Sequence, residues 1–247
     1  MRHPSVQYLI DLEPLKTWSL IVTILGDLDG AELTGSILRT LLERIDIKPE
    51  AIRVALYRLK SDGWITSRKS GREAAYRLSP RALRETETVR ADVYGTPGSH
   101  AKRWQILLQK PGLPSIEGLQ LGKDIVLIPQ SEDVSAPDAL VLEFRGDTVP
   151  SWVQEVLVPR QLMQNAEALV QSLAAPQTDI NSISPEEQVT LRILVLHHWR
   201  RLALREGSWA HMYFLPEGIV AQCGKVVTLF LGQSESLSKS VRPNIHG

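Results

Sequence analysis

Three stretches near the start of the chain place hydrophobic residues at helical spacing. The first covers residues 15–25 and is ended by two glycines, and the second runs from Thr34, which we expect to cap it, to Asp46. The third opens at Pro49, a residue favoured in the first turn, and should end at Gly63. Only Ile47 and Lys48 separate the second from the third, and helices joined so tightly cross steeply, as in a helix-turn-helix.

The third predicted helix divides into an apolar face and a basic face. Its inward positions follow the spacing i, i+3, i+4 and i+7: Ile52, Ala55, Leu56 and Leu59. Its outward positions carry long donors and a tyrosine: Arg53, Tyr57 and Lys60, with Arg58 on the flank. A recognition helix needs this division, because one face seats the helix and the other reaches base edges or phosphates. An ordinary amphipathic surface helix would also carry its charges outward, so this helix alone does not distinguish a recognition helix from a surface helix.

A basic hairpin follows this helix directly. Residues 64–69 and 73–78 are predicted strands around the turn at Ser70 and Gly71. Three cations cluster at that turn: Arg68, Lys69 and Arg72. A basic hairpin in this place is typical of a wing, which contacts backbone phosphate or a minor groove. Residues 1–79 are therefore predicted to form a winged helix-turn-helix that binds double-stranded DNA.

Charge and composition support this interpretation. Lys and Arg together number 28, as do Asp and Glu, yet the segment from Arg53 to Arg84 holds nine basic and two acidic residues. A local basic stripe on a neutral chain is the electrostatic signature of a nucleic-acid-binding domain. The single cysteine, Cys223, excludes an internal disulfide and is expected to be an inert buried thiol. No signal peptide or apolar run of membrane-spanning length is present, so we expect a soluble cytoplasmic protein without a membrane partner.

The rest of the chain predicts a connection and an α+β region. Ser79 and Pro80 open a helix that should reach Tyr94, and a linker rich in Gly, Pro and Ser follows at 95–99, which makes 80–101 a connecting segment. Strands are predicted at 104–108, 124–128 and 140–144. A helical stretch begins at Trp152 and is interrupted at Pro159. Strands alternating with helices over 102–178 indicate an α+β domain.

A long helix should dominate residues 179–247. Ser184, Pro185 and Glu187 form a capping box that opens it, and it should run to about Arg205 with most of its surface buried. Four cationic or titratable residues lie toward its end: His197, Arg200, Arg201 and Arg205. Cations are favoured at a helix C-terminus, and a cluster of them can also bind an acidic effector. Four aromatic residues could line an effector pocket or belong to the core: Trp199, Trp209, Tyr213 and Phe214.

Nothing in the sequence predicts catalysis, a metal or a cofactor. The carboxylates of the middle region have no spacing typical of an acid–base pair or a metal cage: Glu117, Asp124, Glu132, Asp133 and Asp138. There is no glycine-rich phosphate loop or nucleophile elbow. The adjacent His197 and His198 would project about 100° apart on a helix, which disfavours a shared metal ion. We therefore expect a protein that is not an enzyme.

Several motifs resemble the PaaX family of bacterial transcriptional repressors. They lie at residues 20–27, 52–59, 62–65, 71–72 with 76–78, and 196–205. The resemblance implies a winged helix, a ferredoxin-like middle domain akin to Cas2 and a mainly helical C-terminal domain. It also implies a repressor of an aromatic-acid operon, typically phenylacetate catabolism, that is released by an acyl-coenzyme A thioester such as phenylacetyl-coenzyme A. We expect a homodimer on an inverted repeat, because a two-fold dimer presents two recognition helices to related half-sites.

Two alternatives remain at the level of sequence. A Cas2-like nuclease would carry a metal-binding aspartate near the end of its first strand, whereas this strand ends at Leu108, Gln109 and Lys110. That difference argues against nuclease chemistry. A winged helix used only for protein contacts is the other alternative, and it predicts DNA binding that is weak and insensitive to salt.

Overall fold

The fold, a mixture of helices and two small antiparallel sheets, is seen in a computed structural model. The structure describes residues 2–94, 104–112, 116, 118–130, 138–143, 149–174, 183–205, 208–215 and 217–240. The linker predicted at 95–99 lies outside these residues. Within the described part, no helix is long and apolar enough to cross a membrane.

The first part of the chain has the helices and hairpin of a winged helix. In chain order its helices are α1 (Pro4–Asp11), α2 (Thr17–Gly26), α3 (Gly35–Glu43) and α4 (Pro49–Ser61). Its strands are β1 (Leu33–Thr34), β2 (Ile65–Ser70) and β3 (Glu73–Leu78), in the sheet order β1-β3-β2. The three predicted helices and the hairpin are confirmed, with ends shifted by a few residues. The short helix α1 was not predicted.

Local conformations explain the tight turns around α4. Asp46 has φ +62°, the left-handed region that Asp tolerates better than most residues, and this reverses the chain between α3 and α4. Arg2 holds the Asp46 carboxylate with two hydrogen bonds of 2.7 and 2.8 Å. Pro49 opens α4 and Gly63, at φ +72°, follows its end, as predicted.

The cap of α3 differs from the prediction. Thr34 occupies the N-cap position, but its side chain makes no capping hydrogen bond. Glu73 of β3 caps the helix instead, accepting from the backbone N–H of Ser36 at 2.8 Å and from its hydroxyl at 2.9 Å. These bonds from Ser36 lower the pKa of the Glu73 carboxyl. These hydrogen bonds connect the β2–β3 hairpin to α3, the first helix of the helix-turn-helix.

The middle part of the chain forms a four-stranded antiparallel sheet in the order β5-β6-β4-β7. Its strands are β4 (Trp104–Gln109), β5 (Leu119–Gly122), β6 (Ile125–Pro129) and β7 (Ala139–Glu143). A ferredoxin-like βαββαβ unit places its four strands in this order. Its first connection should contain a helix, whereas the described residues between β4 and β5 have none. The three predicted strands are confirmed, and β5 was not predicted.

Helices make up most of the remaining structure. They are α5 (Pro80–Thr88), α6 (Arg90–Tyr94), α7 (Ser151–Leu157), α8 (Arg160–Ala174), α9 (Pro185–Ala203), α10 (Ser208–Phe214), α11 (Ile219–Gln233) and α12 (Leu237–Ser240). The single helix predicted from Pro80 to Tyr94 is wrong in one respect, because it breaks at Val89. The predicted interruption at Pro159 is confirmed. The hydroxyl of Ser184 caps α9 by accepting from the Glu187 N–H at 3.3 Å, and α9 ends at Ala203 rather than Arg205.

One continuous hydrophobic core joins the winged helix to the C-terminal helices. It includes Leu20 and Ile24 of α2 together with Leu191, Val195 and Trp199 of α9. Helix α9 contacts α1, α2, α6, α8 and α11, and most of its residues are buried, as predicted. Residues before 79 and after 179 both contribute to this core.

A buried ion pair lies where these helices meet. Asp27, directly after α2, accepts from Nε and Nη2 of Arg192 at 2.7 and 2.8 Å, and the two side chains are only 3% and 5% exposed. Asp27 also accepts from the Tyr94 hydroxyl at 3.1 Å and from the Leu237 N–H at 3.0 Å. The remaining donor, Arg192 Nη1, bonds to the hydroxyl of Ser234 at 2.7 Å. The pair thus connects α2, α6, α9 and the segment from α11 to α12.

Removing the arginine should be costly because it leaves a buried carboxylate without its partner. Arg192→Met is expected to lower the free energy of unfolding by about 3–5 kcal/mol, measured by urea denaturation. The matched control is Arg160→Met, which removes an exposed pair with Glu155 and should cost less than about 1 kcal/mol. Equal losses in the two variants would show that the Asp27–Arg192 pair does not hold these helices together.

Candidate nucleic-acid interface

Helix α4 presents the predicted basic face to solvent. Ile52, Ala55 and Leu59 are buried and seat the helix against the core. The four predicted contact residues are all exposed: Arg53, Tyr57, Arg58 and Lys60. The Tyr57 ring is 76% exposed, and next to this face Val54 is 50% exposed. Apolar groups in this place can contact a thymine methyl.

Val54 was not among the predicted contact residues, all of which are charged or hydrogen-bonding. Its spacing could have identified it, because it lies three and four positions before Tyr57 and Arg58 on the same side of the helix. The exposed face of α4 therefore combines hydrogen-bond donors with two apolar groups, the Tyr57 ring and the Val54 side chain.

The predicted wing cations are also exposed, but they differ in their partners. Arg68 donates from Nε to Glu32, and Nε of Arg77 lies 3.9 Å from the same carboxylate. Lys69 and Arg72 make no hydrogen bond or ion pair with any residue that the structure describes. The charge on Arg68 is thus partly neutralised, and the unpaired charge of this hairpin lies at Lys69 and Arg72.

The recognition helix and the hairpin are directly linked. Lys60 donates from Nζ to the hydroxyl of Ser67 at 2.9 Å, which joins the last turn of α4 to β2. Arg53 lies one turn from Glu50, with their charged atoms 3.9 Å apart. The helix and wing therefore present one basic surface, in which Arg58 also has no partner among the described residues.

The predicted effector residues are separated by the structure. Arg200, Arg201 and Arg205 line a cavity of about 490 Å³ at the end of α9, with Leu119, Leu162 and Leu204 as apolar walls. His197 does not line this cavity and is buried, and its Nδ1 atom has no hydrogen-bond partner among the residues that the structure describes. Burial lowers the pKa of His197 to about 3, so the ring is neutral and supplies no positive charge at neutral pH.

The arginines of this cavity are not equivalent. Arg201 forms an ion pair with Glu13, which lies between α1 and α2. Arg200 is largely enclosed and makes no hydrogen bond or ion pair within the described part of the chain. Burial lowers the pKa of Arg200, which records the cost of holding its charge there. Arg200 also lines a second pocket together with Gly26 and Tyr94, so its side chain lies between the two.

The predicted aromatic pocket is not formed by the aromatic side chains that can be described. Trp199 is buried in the core and donates from Nε1 to the Val93 carbonyl at 2.9 Å. Phe214 packs on Trp104 with ring centroids 6.2 Å apart. The side chains of Trp209 and Tyr213 lie outside the described residues. Cys223 is buried, as predicted, and burial raises its pKa to about 12, which disfavours the reactive thiolate.

Two helices joined by a tight turn, the second of them exposed and basic, and a basic hairpin after them form the arrangement of a winged-helix DNA-binding protein. Residues 16–82, which contain this arrangement, match the family described as PaaX-like protein. The chain is also 31% identical over 238 residues to the transcriptional repressor PaaX of Escherichia coli (strain K12), covering 81% of this chain and 75% of that repressor. The chain therefore belongs to the PaaX-like family and is homologous to a transcriptional repressor, which confirms the resemblance.

The buried His197 should make stability depend on pH. Its pKa is about 3 in the folded state and about 6.5 in the unfolded chain, so between these values only the unfolded state binds the proton. The free energy of unfolding should fall as pH decreases below about 6.5, with a slope of up to about 1.4 kcal/mol per pH unit from this residue.

Urea denaturation at pH 7 and pH 5 should show this loss in the wild type and less of it in His197→Leu. The quantity compared is the change in the free energy of unfolding between pH 7 and pH 5. A packing effect of leucine that is the same at both pH values therefore cancels. The same change in both proteins would contradict a neutral buried His197.

Proposed function

We propose that this protein is a ligand-responsive transcriptional repressor that binds an inverted repeat in double-stranded DNA as a homodimer. The observation that carries the proposal is the continuous basic surface of α4 and the β2–β3 hairpin, with its donors exposed and Arg58, Lys69 and Arg72 unpaired among the described residues. A two-fold dimer would bring two copies of this surface to symmetric half-sites. The homology to a repressor supports the same function.

The two parts of the surface have different roles in this proposal. Arg53, Tyr57 and Lys60 of α4 enter the major groove, where arginine and lysine can donate to guanine O6 and N7. Arg58 flanks them and contacts phosphate. Lys69 and Arg72 contact the backbone from the wing, with Arg68 contributing less because Glu32 holds it.

The ligand in this proposal is an acyl-coenzyme A thioester such as phenylacetyl-coenzyme A, and the regulated operon is one of aromatic-acid catabolism. The cavity at Arg200, Arg201 and Arg205 supports this class, because guanidinium groups suit phosphate and leucine walls suit an apolar body. Binding must differ between the DNA-bound and free states, since a ligand with equal affinity for both changes nothing.

The middle sheet is proposed as a ferredoxin-like scaffold without catalysis, in a chain divided at about residues 79, 101 and 178. The strand order supports the scaffold. The nuclease alternative lacks support at the end of β4, where the side chain is that of Gln109 rather than an aspartate. A repressor of this kind acts in the cytoplasm, on the DNA that it regulates.

Wing cations should contribute to affinity without reading sequence. With an operator selected from a random DNA library, Arg72→Ala should weaken binding to all sequences and reduce the slope of log K against log salt by about 0.9. Fluorescence anisotropy between 50 and 300 mM salt measures this, and Arg160→Ala, an exposed arginine outside the surface, is the control. An unchanged slope for Arg72→Ala would remove the wing from the interface.

Residues of α4 should contribute to specificity. Arg53→Ala and Lys60→Ala should each cost about 1–3 kcal/mol on the selected operator and relax the preference at one base position. Competition binding with operator variants changed at single positions measures both effects. If both variants bind the operator as the wild type does, α4 does not read DNA and a winged helix for protein contacts becomes the better account.

A further inference from the structure

Glu13 connects the arginine cavity to the segment that enters the winged helix. It lies between α1 and α2, and its side chain is 14% exposed. Its Oε1 atom faces Nδ1 of His198 at 3.2 Å and also pairs with Nη1 of Arg201. Its Oε2 atom accepts from the Asn165 amide at 3.1 Å. Both oxygens of Glu13 therefore have partners on α8 and α9.

This carboxylate is charged at neutral pH. Burial on its own would raise the pKa of Glu13, but the hydrogen bond from His198 and the charge of Arg201 outweigh burial and place the pKa below its ordinary value. The Glu13–Arg201 pair is thus a true ion pair. Arg201 is nevertheless 37% exposed, because it also borders the cavity.

Arg201 cannot pair fully with Glu13 and with a ligand in the cavity at the same time. A phosphate held by Arg200 and Arg205 would lie beside the Arg201 guanidinium, which forms its strongest hydrogen bonds in a forked geometry with one anion. The ligand and Glu13 would then compete for the same donors. Glu13 occupies Arg201 as long as the cavity is empty.

A change at Glu13 has a short path to the DNA-binding surface. Glu13 is four residues before the start of α2, and α2 packs against α4. On its other side, His198 donates from Nε2 to the Leu9 carbonyl of α1 at 2.8 Å. The chain entering the winged helix is thus held against α9 through Glu13 and His198, and Arg201 links Glu13 to the cavity.

We propose that Glu13 is an internal competitor for the anionic ligand of the arginine cavity, and that transfer of Arg201 from Glu13 to the ligand transmits binding to the winged helix. The ligand class is an organic anion that carries phosphate. The inference rests on the proposed function of a ligand-responsive repressor, and Glu13 acts in it as a positioning residue.

The competition is tested by calorimetry with coenzyme A and phenylacetyl-coenzyme A as probes. Glu13→Gln preserves the shape of the side chain and removes its charge. If Arg201 is free about a tenth of the time in the wild type, this variant should bind the probe about tenfold more tightly. A purely structural role of Glu13 predicts equal or weaker binding. Glu217→Gln, which removes an exposed acid near Lys225, should leave the affinity unchanged.

A second variant guards against a folding defect in the first. Asn165→Ala removes a hydrogen bond to Glu13 but leaves its charge and Arg201 in place, so it should not reproduce the tenfold gain in probe affinity. Arg201→Ala should lose affinity. Equal affinity of the wild type and Glu13→Gln, or no probe binding to Glu13→Gln at millimolar concentration, overturns the competition.

The transmission is tested separately, on the selected operator. Without ligand, Glu13→Gln should bind the operator more weakly than the wild type, and added probe should change its affinity by a smaller factor. A wild-type response to the probe in Glu13→Gln overturns transmission through Glu13. A protein that binds no DNA but shows the tenfold gain in calorimetry contradicts the proposed function and leaves the competition supported.

Discussion

The pairing of Asp27 with Arg192 is the constraint on which the arrangement of the helices depends. Both charges are removed from water, and a buried pair is tolerated only when its remaining donors and acceptors also have partners. Here those partners come from Tyr94, Ser234 and Leu237, on three further parts of the fold. Burial and the Asp27 carboxylate raise the pKa of Tyr94, so its hydroxyl keeps the proton that it donates. The Asp27–Arg192 pair therefore holds the C-terminal end of α2, in the winged helix, against α9.

The two carboxylates that flank α2 differ in how strongly they are held. Asp27, after its C-terminal end, is almost fully buried and binds a buried arginine. Glu13, before its N-terminal end, binds an arginine that is partly exposed and borders a cavity. A ligand in the proposed cavity would border the second pair, whereas the first pair is closed to solvent. Any ligand-induced change would therefore move the N-terminal end of α2 while Asp27 keeps the other end in place.

Local chemistry made much of the fold predictable, and long-range contacts made the rest unpredictable. Caps, glycines and hydrophobic spacing located α2, α3, α4, α9 and the hairpin, because each signal lies within a few residues of its effect. Helix α1 and strand β5 are short, at eight and four residues, so few positions carry the pattern of either element. The cap of α3 comes from Glu73, 37 residues beyond Ser36, and the Asp27–Arg192 pair spans 165 residues. No local sequence pattern predicts such distant partners. The arginines of α9 could therefore be grouped from the sequence, but their different partners and burial could not be predicted.

The placement of carboxylates refines what the charge pattern alone indicated. Nine cations lie between Arg53 and Arg84, but an acidic side chain lies beside four of them: Arg53, Arg68, Arg77 and Arg81. A phosphate approaching Arg68 must compete with Glu32, whereas one approaching Arg58 or Arg72 meets no described carboxylate partner. The number of counterions released from DNA depends on how many phosphates the protein's cations neutralise. The positive potential felt by DNA should therefore be strongest near Arg58 on α4 and near Lys69 and Arg72 on the wing, which together form a smaller set than the basic stripe in the sequence.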